Sequence, residues 1–178
     1  MGRRPPDCCT PRRPWEARRR SACSRSIAAA RKTLYITNAH FAPDRTFVEL
    51  LAAAAKRGVE VRILTAGPRT DVNIVRVAGR AWSDALLTAG VRMDKWQPTT
   101  LHAKTFVIDG ERSTIGSINF DNRSMALNEE ATLMVLDRTV GEQMNRMFLT
   151  TCDTPRRLRS SCSVKARGFS GWLSGVRT

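Results

Sequence analysis

The apolar positions keep a regular period only in the middle of the chain. Thr33-Leu34-Tyr35-Ile36-Thr37 is a β-branched and aromatic run that predicts a strand. A loop, Asn38 to Pro43, leads to Asp44, whose short carboxylate suits an N-cap. The helix it opens spans about Arg45 to Arg57, buries Phe47, Leu50, Leu51 and Ala54 at helical spacing, and stops at Gly58. Val59 to Thr65 alternates as a second strand. After the Gly67-Pro68 break, Ile74, Val75, Ala78, Trp82 and Leu86 predict a helix over about Val72 to Thr88. A third strand starts at Val91. A fourth runs from Leu101 to Ile108, and Asp109-Gly110 turns it into a hairpin with Ser113 to Ile118. Ala131 to Leu136 is a last strand and Val140 to Leu149 a closing helix. Strands alternating with helices, then a hairpin, predict an α/β layered domain with a mixed sheet over residues 27–150.

Outside that span the pattern dissolves. Residues 1–26 and 151–178 are rich in Arg, Ser and small residues and show no period, so both are read as basic, disordered tails. Ile27 to Lys32 reads as the end of a short helix. The tails also hold the charge. The chain carries a net +14, but +6 of it falls in residues 1–26 and +5 in residues 152–178. The net charge therefore does not make the central domain a nucleic-acid binder. All five cysteines lie in the two ends, without a CxxC or paired Cys/His spacing that would hold zinc. No apolar run approaches the ~20 residues of a membrane-spanning helix.

The chemistry concentrates between Leu101 and Glu130. In a strand, alternate side chains share a face, so His102 and Lys104 stand side by side there. An imidazole can attack phosphorus or carry a proton, and an ammonium neutralises phosphate oxygens. The pair suits a phosphodiester. By the same alternation Asp109 faces away from His102.

His102, Lys104 and Asp109 form H-x-K-x4-D, followed by Gly116-Ser117-x-Asn119. This resembles the signature of the phospholipase D superfamily. Thr33 to Asn38, Phe41 to Asp44, Lys56 to Leu64, Gln97 to Lys104 and Asn119 to Ser124 resemble, more narrowly, the C-terminal half of bacterial cardiolipin synthases. The resemblance implies a phospholipase D-like fold. It also implies phosphatidyl transfer through a phosphohistidine, without metal or cofactor. Carried over by position, His102 is nucleophile or general acid, and Lys104 and Asn119 hold phosphate oxygens. Ser117 is the motif hydroxyl, placed with them as a substrate-binding residue, and Glu130 the carboxylate that orients a histidine. Asp109 completes the catalytic motif as a structural support, and Arg123 is a candidate for a head-group phosphate. His40 stands where the family usually has Tyr.

One motif is present where cardiolipin synthases carry two. The resemblance therefore implies a second half, from a homodimer or from a missing N-terminal half. The implied substrate is a phosphatidylglycerol-like phospholipid at the bacterial inner membrane surface, reached peripherally. The alternatives are a homodimeric phosphodiesterase or nuclease acting on nucleic acid, and an inactive truncated half. The compositional break at both ends also raises the reading that the ends are translated out of frame.

Overall fold

The computed structural model describes residues 14–67, 82–96, 99–121, 124–125, 128–153 and 158–159. Its centre is a seven-stranded mixed sheet. The strands are β1 (Thr33–Asn38), β3 (Glu60–Ala66), β4 (Arg92–Trp96), β5 (Lys104–Ile108), β6 (Arg112–Gly116), β8 (Thr132–Leu136) and β9 (Leu158–Arg159), in the spatial order β8-β6-β5-β1-β3-β4-β9. β1, β3 and β4 run parallel; β5, β6 and β8 add on antiparallel. A small parallel pair, β2 (Phe41–Ala42) with β7 (Phe120–Asp121), sits beside it.

Alternation divides the sheet into two faces. Leu34, Ile36, Val61, Ile63, Phe106 and Ile108 join helix α2 (Arg45–Lys56) and the described part of helix α3, residues 82–88, in the larger core. Tyr35, Leu64 and Val107 meet Met144, Phe148 and Cys152 of helix α4 (Arg138–Asp153) on the other face. Asp44 caps α2 as expected, accepting the Phe47 N–H at 3.0 Å. The helix expected over Val72 to Thr88 is described only at its end; residues 72–81 lie outside the described residues.

The N-terminal expectation is corrected for residues 14–26, which belong to a helix, α1 (Pro14–Ala29). Cys23 packs on the core that Ile27 and Ala30 enter, a spacing of four and three. Arg20 pairs with Asp44 and lies 5.6 Å from the centre of the Phe47 ring. The buried face of α1 is too narrow, and its Arg content too high, for a window of sequence to register it. At the other end, β9 pairs its backbone with β4 inside the segment read as a tail.

Candidate active site

The motif strand begins later than its apolar pattern predicts. Leu101 to Ala103 are irregular and β5 starts at Lys104. The cause is the neighbour. β1 ends at Asn38, opposite Lys104, and the chain then bends away through Ala39-His40, leaving no ladder for residues 101–103. His102 therefore leaves the sheet as an exposed residue at its edge. The bend carrying His40 leaves from the same end of the sheet, because β1 and β5 run antiparallel.

Lys104 stays at the site by another route. It is only 8% exposed, and its Nζ donates to the His102 carbonyl at 2.7 Å. The ammonium has three donors, so this bond fixes the backbone of His102 and still leaves hydrogens to present to an anion. Burial holds the Lys104 pKa below its ordinary value, against a smaller upward pull from the Glu130 carboxylate. Lys104 and Glu130 line one cavity of about 330 Å³ with Ile118, Phe106 and Thr114. The structure thus brings Lys104 and Glu130 together, although they lie far apart in sequence. Asn128 donates its Nδ2 to Glu130 Oε1 at 3.1 Å and holds that carboxylate from the other side.

The Gly116-Ser117-x-Asn119 segment is fastened at both ends. The Ser117 N–H donates to the Ala131 carbonyl at 2.9 Å, and Ser117 Oγ accepts from the Ala131 N–H at 3.1 Å. Ser117 is a clasp between the end of β6 and the start of β8, which delivers Glu130. Asn38 holds the far end. Fully buried, it donates to the Ile118 carbonyl at 3.2 Å and accepts from the Phe120 N–H at 3.1 Å. Asn119 lies between those two anchors, its Oδ1 buried and without a hydrogen bond among the described residues. Phe120 then locks the segment into the core, its ring centre 4.7 Å from Phe47, 5.4 Å from Phe106 and 5.5 Å from Phe41.

Arg123 lies outside the described residues. One motif residue stands apart from this group. Asp109 sits at the opposite end of β5 from Lys104 and makes its contacts there. It turns the hairpin with φ 56°, beside Gly110 at φ 68°. The positive φ swings its carboxylate onto the start of β1, where it accepts backbone N–H groups of Arg31, Lys32 and Thr33 at 2.6–3.2 Å.

Sequence reasoning gave Asn38, Asn128 and Gly116 no role of their own. Asn38 does leave a signal, as an amide closing an apolar strand. Gly116 matters through what lies against it. A Cβ there would stand 2.5 Å from the Ala131 carbonyl oxygen and 2.8 Å from Thr132 Cα. Both obstacles are backbone, so β8 has to move. Gly116→Ala is expected to cost about 1–3 kcal/mol and to loosen the Ser117–Ala131 clasp. A urea titration beside an activity assay checks it; an unchanged midpoint would show that β8 tolerates the shift.

Comparison with known proteins agrees with this geometry. The family model described as "Cardiolipin synthase, PLD-like domain" matches residues 24–151. Cardiolipin synthase A of Pseudomonas putida (strain W619) is 39% identical over 140 residues, which make up 79% of this chain and 29% of that protein. Its counterpart in Pseudomonas entomophila (strain L48) is 38% identical over 138 residues, 78% of this chain and 29% of that one. The chain thus spans less than a third of the length of these curated relatives. Two solved structures share the fold. Nuc of Salmonella typhimurium, a phospholipase D family member, superposes with TM-score 0.68 at 20% identity, covering 79% of this chain and 91% of its own. Phosphatidylserine synthase of Haemophilus influenzae Rd KW20 does so with TM-score 0.60 at 14% identity, covering 79% of this chain and 36% of its own. With the motif, the sheet and the family model in register over most of its length, the chain belongs to the family of cardiolipin synthase, phospholipase D-like domains.

Proposed function

We propose that this chain supplies one half of a two-histidine phosphatidyltransferase site of the cardiolipin synthase kind. The observation that carries the reading is that Lys104 and Glu130 converge on one cavity, with the His102 backbone gripped by Lys104. One imidazole attacks the phosphorus of a phosphatidylglycerol-like donor. A P–N bond forms and the P–O bond to the leaving glycerol breaks. The second imidazole protonates that leaving oxygen. The hydroxyl of an acceptor lipid then gives its proton to that second imidazole and attacks phosphorus; the P–N bond breaks and the first histidine is released. Lys104 and Asn119 hold the non-bridging oxygens, where charge builds in the transition state. Ser117 and Glu130 keep the site in shape, and Arg123 is offered as a head-group contact.

The whole chain has two histidines, and only His102 sits in the motif. A complete site therefore needs a second motif-bearing half. A second copy related by a two-fold axis supplies it symmetrically, each His102 taking one of the two roles. A separate N-terminal-type half supplies it otherwise. Among the described residues no helix is long and apolar enough to cross a membrane. The likeness to cardiolipin synthases supports a working place at the inner membrane surface of a bacterium, which we propose is peripheral.

Light scattering beside a lipid assay tests the reading. A mass of two chains, with cardiolipin formed from phosphatidylglycerol vesicles, is the expected result. Cleavage of DNA without lipid transfer would turn the reading to a dimeric nuclease. A strictly monomeric protein inert toward both substrates would reduce it to an inactive half.

A further inference from the structure

The cavity at Lys104 is not shaped for a phosphate alone. Its only charged lining residues are Lys104 and Glu130. Behind them the floor is Phe106, Thr114 and Met134, on the α1 side of the sheet, and the wall is α1, at Ala22 and Cys23. The trough exists because α1 covers β5 while the sheet continues two strands further, through β6 to β8. Met134 is 53% exposed there, and Leu136, on the same face by alternation, is 77% exposed. Its volume of about 330 Å³ falls in the range of small-molecule sites. One end is thus a buried ammonium; the rest is mostly apolar, with the hydroxyls of Ser26, Thr114 and Thr132 among its lining, and opens along an edge strand.

We infer that this trough holds one acyl chain of the phosphatidyl donor, running from the phosphate at Lys104 between α1 and β8 toward Leu136. The inference rests on the phospholipid reading above and adds to it which part of this chain recognises lipid. The match is of head and tail. A phosphodiester is the anion that Lys104 faces, and in a phospholipid the apolar chain is tethered only a few bonds from that anion. A nucleic-acid phosphodiester places polar sugars and flat bases there instead, and Phe106, only 9% exposed, offers them little open ring face to stack on. The trough also gives the apolar residues of β8 a role. An edge strand without a charged residue is otherwise an aggregation hazard.

Calorimetry on the full chain with two ligands tests this: dihexanoyl phosphatidylglycerol below its micellar concentration, and chain-free glycerophosphoglycerol. Each methylene buried adds about fourfold in affinity. The acylated ligand should therefore bind at least about tenfold tighter. Met134→Asn, a polar change at a half-exposed strand position, and Ala22→Phe, which fills the trough from the helix side, should each remove about tenfold from the acylated ligand alone. Either variant suffices if the other fails to fold. Equal affinity of the two ligands for the wild type overturns the inference, as does equal weakening of both by the variants. A variant that changes the solution mass overturns it too, and makes the trough a partner contact. If neither ligand binds the wild type, it is the phospholipid reading itself that falls, and the inference with it.

Discussion

His102→Asn is expected to lower phosphatidyl transfer by at least about a thousandfold and to leave the fold intact. Both halves of the expectation follow from where His102 sits. Its side chain is exposed, and the bond that ties it to the fold uses its carbonyl, accepting from Lys104 Nζ at 2.7 Å. Asn keeps that carbonyl. The stability change should therefore stay within about 0.5 kcal/mol, as thermal denaturation can check. The imidazole is a different matter. An amide neither attacks phosphorus nor moves a proton near neutral pH. Retained turnover would refute the role given to His102. Mixing adds a sharper test. If each site takes one His102 from each of two copies, equal amounts of wild type and variant, allowed to exchange, keep about a quarter of the activity, because only wild-type pairs work. A loss of half would mean that each copy carries a complete site.

The alternation of strands and helices was legible because its faces are cleanly divided. Leu34 and Ile36 go to one core and Tyr35 to the other, and α2 has its cap and its glycine stop in place. Strand order was not legible. The run Thr132 to Leu136 is as apolar as a central strand, yet it lies at the sheet edge with Leu133 64% exposed. Local pattern carries no information about which strand ends beside which. The same limit hid α1, whose contact with the core is a handful of side chains spread along an Arg-rich stretch. At the site, the motif picks out His102, Lys104, Asn119 and Glu130 as candidates by type and spacing. It did not reveal how they are held. That work falls to Asn38, Asn128 and the Ser117–Ala131 clasp, whose partners lie 2 to 82 residues away in sequence. Strand parity did separate Asp109 from His102, and the structure shows where the aspartate goes instead.

Asp109→Ala is expected to destabilise the protein by about 2–4 kcal/mol while leaving the activity of each folded molecule nearly unchanged. The carboxylate ends β5 and accepts three successive backbone N–H groups, at Arg31, Lys32 and Thr33, where α1 hands over to β1. Its own N–H donates to the Thr33 carbonyl at 2.9 Å. Alanine leaves those donors without their acceptor and is also a poorer occupant of φ 56°. Asn tolerates that backbone and keeps one acceptor oxygen, so Asp109→Asn should cost less, about 1–2 kcal/mol. The two variants also separate charge from shape. Burial alone would raise the Asp109 pKa, but the N–H groups of Thr33, Lys32 and Arg31, helped by the Arg112 charge, outweigh it and hold the pKa below its ordinary 3.8. A carboxyl whose pKa falls on folding contributes fully above its unfolded value. That contribution is lost as pH drops through the lower folded value. Wild-type stability should therefore fall from about pH 4 downward more steeply than that of Asp109→Asn, and the two acid limbs should converge. Urea titrations at stepped pH measure this. Parallel limbs would mean that the carboxylate's charge does not hold the turn to β1. A loss of activity in fully folded Asp109→Asn would return this residue to the catalytic set.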